Sequence, residues 1–313
     1  MVSDLLAPAA MLHLLGGLVL ATLVHQDASL RGHHRPLALA AGTLVLGVLG
    51  AVGYYAVRER IGELPTDVAR FRAPLGARAR DLFKGVLLIV GAFLCAAAVV
   101  GLGANGLVSA GVVARDTLEF RVVAAVLQFL GFGVGVGGYL LVTRDWDLVE
   151  VRVPTLRTVG LVAVGVVALL LAQIAIARLL TVLGISVAQN QVVVTGQQDP
   201  RYFLYMIPVA IFLVGPFEEL VFRGGVQGIL RRTWGPSVAI VVASVLFGLV
   251  HWIALTGGGG SRIPYVTVAA TLGLVLGYLY ERSRNLVVPA VVHGLFNTVQ
   301  FVAVYATTTG LVG

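Results

Sequence analysis

Charge is what this chain has least of: only 12% of its 313 residues are Asp, Glu, Lys or Arg, while 58% are hydrophobic, and the mean hydropathy is +0.95. That composition excludes a soluble globular enzyme, a soluble nucleic-acid binder and a disordered tail. A membrane span needs about 20 apolar residues to cross a hydrocarbon core about 30 Å thick, and the chain is long enough for several. Cysteine is almost absent too. Cys95 stands alone in an apolar run, so no intrachain disulfide and no cysteine zinc cage can form; its surroundings predict a small buried core residue. The first apolar run has no basic region before it, carries Asp4 instead and shows no small-x-small cleavage pattern before Gln26. It reads as a retained anchor.

What is present is a succession of apolar stretches: Leu5–Val24, Leu37–Val57, Gly85–Leu102, Val122–Thr143, Thr158–Leu180, Tyr202–Leu230, Pro236–Leu255, Ile263–Tyr280 and Leu286–Ala306. The expectation is an all-α polytopic transmembrane bundle of eight to nine helices. The net charge of +7 then belongs to topology and anionic lipid rather than to nucleic acid. With nine helices, the Lys and Arg of alternate connections divide fourteen against seven. This predicts a cytoplasmic N-terminus, an external C-terminus and residence in the cell membrane. The connection from Arg58 to Lys84 carries seven basic residues around Val68, Phe71, Leu75, Leu82 and Phe83; it suits a helix lying on the inner surface, or equally a solvated loop. Gly257–Gly260 reads as a flexible linker.

Two stretches match GxGxxG, Gly101–Gly106 and Gly133–Gly138. Neither sits between a strand and a helix, as a dinucleotide fingerprint requires. Gly131 with Gly135, Gly133 with Gly137, and Gly273 with Gly277 instead place small residues four apart, the spacing of close helix contact in lipid.

An ionisable side chain at the centre of a span costs at least about 2.5 kcal/mol, so each needs a reason. The first half offers few: His13 near an interface, Gln128 and Gln173 as interhelical donors, and Arg178 near enough to a helix end to snorkel. The second half concentrates six groups on three helices: Glu218, Glu219 and Arg223; His251; His293 and Asn297. Residues four apart share a helix face, so Glu219 lies over Arg223, Phe247 over His251 and His293 over Asn297. At 1.5 Å per residue, counted from the inner helix ends, Glu218 lies about 20 Å up, His251 about 22 Å, His293 about 10 Å and Asn297 about 16 Å, so all four can meet at mid-depth. Pro216 predicts a kink beside the glutamates.

Of two adjacent carboxylates, one neutralised by an arginine a turn away leaves the other free as a general base on water. Two histidines and an amide can polarise that water and stabilise an oxyanion. The same groups have the composition of a hydrolytic zinc site, with Glu218, His251 and His293 as candidate ligands if a divalent metal such as zinc is used. A purely structural role, Glu219 with Arg223 as a buried ion pair and the histidines satisfied in the core, accounts for any one of these residues better than for all six.

Taken in order, Glu218 to Arg223 reads EExxxR, Phe247 to His251 FxxxH and His293 to Asn297 HxxxN, each on a separate apolar helix. This pattern resembles the CPBP intramembrane protease family, which includes the CAAX prenyl endopeptidases and bacteriocin-processing or self-immunity proteins. The resemblance spans roughly Tyr202 to Ala306 and divides the chain into N-terminal transmembrane helices (1–157) and a catalytic core (158–313). It implies an intramembrane peptidase acting on a membrane-associated peptide or protein that arrives laterally or from the inner face. By resemblance Glu218 activates water with help from His251, Glu219 and Arg223 shape the site, and His293 with Asn297 forms the oxyanion hole; catalysis by metal or by glutamate alone both fit. Two other readings stay open: a transporter or proton pathway using the buried Glu, Arg and His, and a catalytically idle immunity or binding member of the family. The motifs of other intramembrane proteases, HExxH, Gly-x-Ser-Gly and Gly-x-Gly-Asp, are absent.

Overall fold

The computed structural model describes residues 2–66, 73–256 and 260–312, with side chains from Ala9 onward. The described residues form an all-α bundle: α1 (Val2–Leu30), α2 (Pro36–Leu46), α3 (Val48–Ile61), α4 (Leu75–Ser109), α5 (Leu118–Thr143), α6 (Leu156–Val182), the short α7 (Gln191–Gln198), α8 (Arg201–Trp234), α9 (Pro236–Val250), α10 (Arg262–Ser283) and α11 (Val287–Thr308). Eight of these are long and apolar enough to cross a membrane. The protein is a multi-pass integral membrane protein.

The difference from nine spans lies in the second apolar stretch. It breaks at Gly47, whose φ of 57° and ψ of −128° suit glycine alone. α2 runs back along α1 until His13 Nε2–H donates to the Val45 carbonyl at 2.9 Å. α3 then returns, and Arg31 Nη1 donates to the Gly62 carbonyl at 2.7 Å. Asp27, fully buried, ties the return to α1 by accepting from the Tyr54 hydroxyl at 2.9 Å and from Arg31 at 2.8 Å. The stretch is thus a re-entrant hairpin that begins and ends on one face. His13 meets a carbonyl that lipid could not satisfy, as irregular backbone at membrane depth requires.

The helix ends define two faces. On one, Gln26 donates to the Trp234 carbonyl, Trp234 Nε1 to the Arg78 carbonyl, Arg232 pairs with Asp145 and Asp147, Arg231 with Glu281, and Arg284 with Glu150. On the other, Arg121 donates to Gln198 and Asn190 to the Tyr265 hydroxyl, while Val187 pairs with Ser261 and Asn190 with Leu255 in isolated bridges. α1 begins and α11 ends on this second face, so both termini share a side. The expectation of termini on opposite sides does not hold, because the hairpin removes one crossing.

Small residues set the helix packing. A Cβ on Gly131 would lie 2.4 Å from the Cα of Ala96, and one on Gly135 2.6 Å from the Cα of Ala92, so α4 and α5 touch backbone to backbone. Gly133 instead faces the Phe217 ring, and nothing lies near Gly137. Both GxGxxG matches lie within helices α4 and α5. Cys95 is half-buried, not a core residue. α4 begins at Leu75 rather than Gly85 and so carries Leu82 and Phe83; Val68 and Phe71 fall outside the described residues, as do Gly257 to Gly259. One apolar core joins α4, α5, α8 and α9 through Leu88, Phe132, Phe222 and Phe247, and a second joins α6, α10 and α11 through Leu169, Leu276 and Val292.

Gly47→Ala should destabilise the protein by about 1–3 kcal/mol, the cost of a backbone state that side chains disfavour, and its Cβ would also meet His13 at 2.6 Å. Thermal unfolding in detergent measures this; an unchanged midpoint would contradict the hairpin.

Candidate active site

α8 carries the two glutamates and is continuous from Arg201 to Trp234 despite Pro208 and Pro216. Two widened π turns, Ala210–Val214 and Leu220–Gln227, lie on either side of Pro216. π turns accommodate an interrupted bonding ladder without breaking the helix. α8 crosses α11 at Gly215 and Gly294. A Cβ on Gly215 would lie 2.3 Å from the Ala290 carbonyl oxygen, and one on Gly294 2.8 Å from that of Ala210. This approach brings Glu219, one turn beyond Gly215, against His293.

Glu219 is fully buried. One of its oxygens accepts from Arg223 Nε at 2.8 Å and the other from His293 Nδ1 at 3.0 Å. Arg223 is equally buried, its Cζ 5.1 Å from the Phe247 ring centroid. Its two terminal nitrogens have no direct hydrogen-bond partner, so the π face of Phe247 is their electrostatic counterpart. Gly273 makes room for them: a Cβ there would lie 3.4 Å from Arg223 Nη2 and 3.3 Å from the Cβ of Ser244. Gly277, a turn along, receives the buried Gln227, whose amide donates to the Gly277 carbonyl at 3.1 Å.

Glu218, next in the chain, points elsewhere. It lines a cavity of about 1210 Å³ together with His251, His293, Asn297, Phe222, Phe247 and Tyr265, whereas Glu219 and Arg223 lie behind the wall. Its Oε2 has no hydrogen-bond partner and stands 3.9 Å from His293 Nε2. His251 Nδ1–H donates to the Phe247 carbonyl at 2.7 Å. A carbonyl only accepts, so the neutral ring keeps its lone pair on Nε2. The Phe247 ring packs against both imidazoles, with centroids 4.6 Å from His251 and 5.8 Å from His293.

The six residues singled out by sequence thus divide into four that reach the cavity and two that brace them. Gln128 and Gln173, expected to bond between helices, line the same cavity. Tyr265 was not anticipated: its ring lies 6.2 Å from His251 and its hydroxyl oxygen accepts from Asn190 at 3.0 Å. No spacing marks it, because its partners lie on other segments. Glu218, His251 and His293 all line the cavity. Among the described residues no three His, Cys, Asp or Glu side chains are gathered to hold an ion; with both histidine Nδ1 atoms engaged, Nε2 is the nitrogen each ring would offer to a metal or to water.

Fold and site together define a polytopic helical membrane protein with a carboxylate and two imidazoles opening on an internal chamber. Residues 200–299 match the family described as Type II CAAX prenyl endopeptidase Rce1-like, and over this segment the resemblance to the CPBP family is borne out. The chain is also similar to the "Putative membrane peptidase YdiL" of Bacillus subtilis (strain 168), 29% identical over 87 residues. That match takes in 28% of this chain and spans about a third, 32%, of the relative's own length. No solved structure matches.

Glu219→Gln and Arg223→Ala should each destabilise the fold by about 3–5 kcal/mol, because each leaves a buried charge without its partner. Gly215→Ala should cost about 1–3 kcal/mol by forcing α8 from α11. Unfolding midpoints in detergent report all three, and wild-type midpoints would sink the account of the bracing pair.

Proposed function

We propose that the protein is an intramembrane endopeptidase that hydrolyses a peptide bond of a membrane-associated substrate, with Glu218 as the general base. The observation that carries this reading is the split between neighbours: Glu219 is consumed by Arg223 and His293, while Glu218 keeps a buried, partnerless oxygen at the wall of the chamber. In this reading Glu218 takes a proton from a water, the resulting hydroxide attacks the scissile carbonyl, and the proton passes on to the leaving amine. His251 Nε2, the ring's free lone pair, helps to hold that water. His293 and Asn297, one turn apart on α11, donate to the oxyanion of the tetrahedral intermediate.

Charge supports the assignment to His293. With Nδ1–H held by Glu219, its Nε2 donates only when the ring carries both protons. The formal charges of Glu218, Glu219, Arg223 and His293 then sum to zero, which favours such a cluster in a low-dielectric interior. In this form the mechanism runs through the side chains alone. A proton pathway would require a chain of titratable groups leading through the protein, whereas the peptidase reading needs only the four groups that share the chamber wall.

Glu218→Gln should leave the unfolding midpoint within about 1 kcal/mol of wild type, since its Oε2 makes no bond that would be lost, and should lower cleavage of a reporter peptide by about 10²–10⁴-fold, the usual contribution of a general base. Purified protein, wild type and variant, with and without chelator, tests this. Undiminished cleavage by the variant overturns the mechanism, and loss of wild-type activity with chelator overturns the metal-free form of it.

A further inference from the structure

The chamber opens toward one face. From Glu218 and the imidazoles its wall runs to Asp116, Gln189, Gln191, Gln198 and Ile253, all exposed. These belong to the α4–α5, α6–α8 and α9–α10 connections, on the face where both termini lie. Among the described residues, none of those lining it comes from 144–155, 235 or 284–286 on the opposite face.

The two faces differ sharply in charge. Of the 20 Lys and Arg among the described residues, fourteen lie on the Trp234 face or at helix ends leading to it: Arg31, Arg35, Arg58, Arg60, Arg78, Arg80, Lys84, Arg144, Arg152, Arg157, Arg231, Arg232, Arg282 and Arg284. Five lie toward the cavity mouth, namely Arg115, Arg121, Arg178, Arg201 and Arg262, and Arg223 is buried between. Lys and Arg in short connections are retained on the cytoplasmic side, and acidic residues do little to offset them. The re-entrant hairpin sharpens the contrast, because it returns Arg31 and Arg35 to the same face as Arg58 and Arg60.

We infer that the chamber takes its substrate from the non-cytoplasmic side: an extended, uncharged segment of a membrane-anchored or exported polypeptide at the outer surface. Its identity as a substrate rests on the peptidase reading above; the direction of entry does not. The orientation replaces the expected cytoplasmic N-terminus with an external one, and entry from the inner face with entry from the outer. The wall suits such a segment. Gln128, Gln173, Asn190 and Gln300 set neutral amides among apolar neighbours, and amides can pair with the peptide groups that an unfolded strand brings out of water. Charge on the approach is confined to Asp116 and Arg121 at the rim.

The test places single cysteines in a Cys95→Ala background and treats intact cells with a membrane-impermeant maleimide. Val112→Cys and Gln189→Cys, on the mouth face, should be labelled in intact cells; Val151→Cys and Val153→Cys, exposed on the arginine-rich face, only after permeabilisation. The reverse pattern overturns the inference whatever the enzyme does. A second arm offers one peptide on a membrane anchor, outside in one reporter and inside in the other, beside Glu218→Gln as control. Cleavage of the outer reporter alone supports the proposed substrate, and cleavage of the inner reporter alone overturns it. Labelling as expected with neither reporter cut leaves the orientation standing and overturns the peptidase reading and the substrate with it.

Discussion

The site depends on the Glu219 carboxylate, an acceptor with no access to water and two donors on two helices. Arg223 comes from one turn along α8 and His293 from across the crossing with α11. Neither ring nor guanidinium could be held at that depth without the negative charge, and the charge could not be buried without them. This mutual requirement fixes the His293 imidazole, and through it the distance from its outward nitrogen to Glu218. Phe247 completes the arrangement by presenting its face to Arg223 and its carbonyl to His251. One residue thereby serves the cation behind the wall and the imidazole in front of it.

In lipid the helices gain nothing from excluding one another's apolar surface, so contact must come from close approach and from polar pairs. Gly131 and Gly135 supply it between α4 and α5, and Gly215 and Gly294 between α8 and α11. A further crossing at Gly248, whose Cβ would lie 2.5 Å from the Val266 carbonyl oxygen, sets α9 against α10 just below His251. The chemistry-bearing residues thus lie next to backbone contacts, where side-chain position is least free to drift.

Much of this was legible in the sequence because helical spacing is local. The pairing of Glu219 with Arg223 follows from four residues of separation, and the three motifs locate all four groups that reach the cavity. What spacing cannot show is which of two adjacent glutamates faces inward; that is decided by where α11 crosses. The hairpin was hidden for a related reason. Residues 37–57 are as apolar as a span, and Gly47 looks like any membrane glycine until its backbone angles and its contact with His13 are seen. His13 itself reads in the sequence as a stray polar group near an interface. Tyr265, Gln227 and Ser244 escaped notice because each finds its surroundings on another segment.

The two π turns of α8 have a meaning for how such a helix can be arranged. Each takes up one residue more than an α turn, so the stretches beyond it are rotated by roughly 100° from where a regular helix would put them. The end bearing Arg231 and Trp234 can therefore present its best face to the arginine-rich connections while the stretch with Pro216 and Glu218 keeps a different azimuth toward the chamber. Anchoring and chemistry become separately adjustable along a single rod. Losing one residue between Leu220 and Gln227 would turn the gear by a tooth, setting the floor of the protein at odds with its working centre.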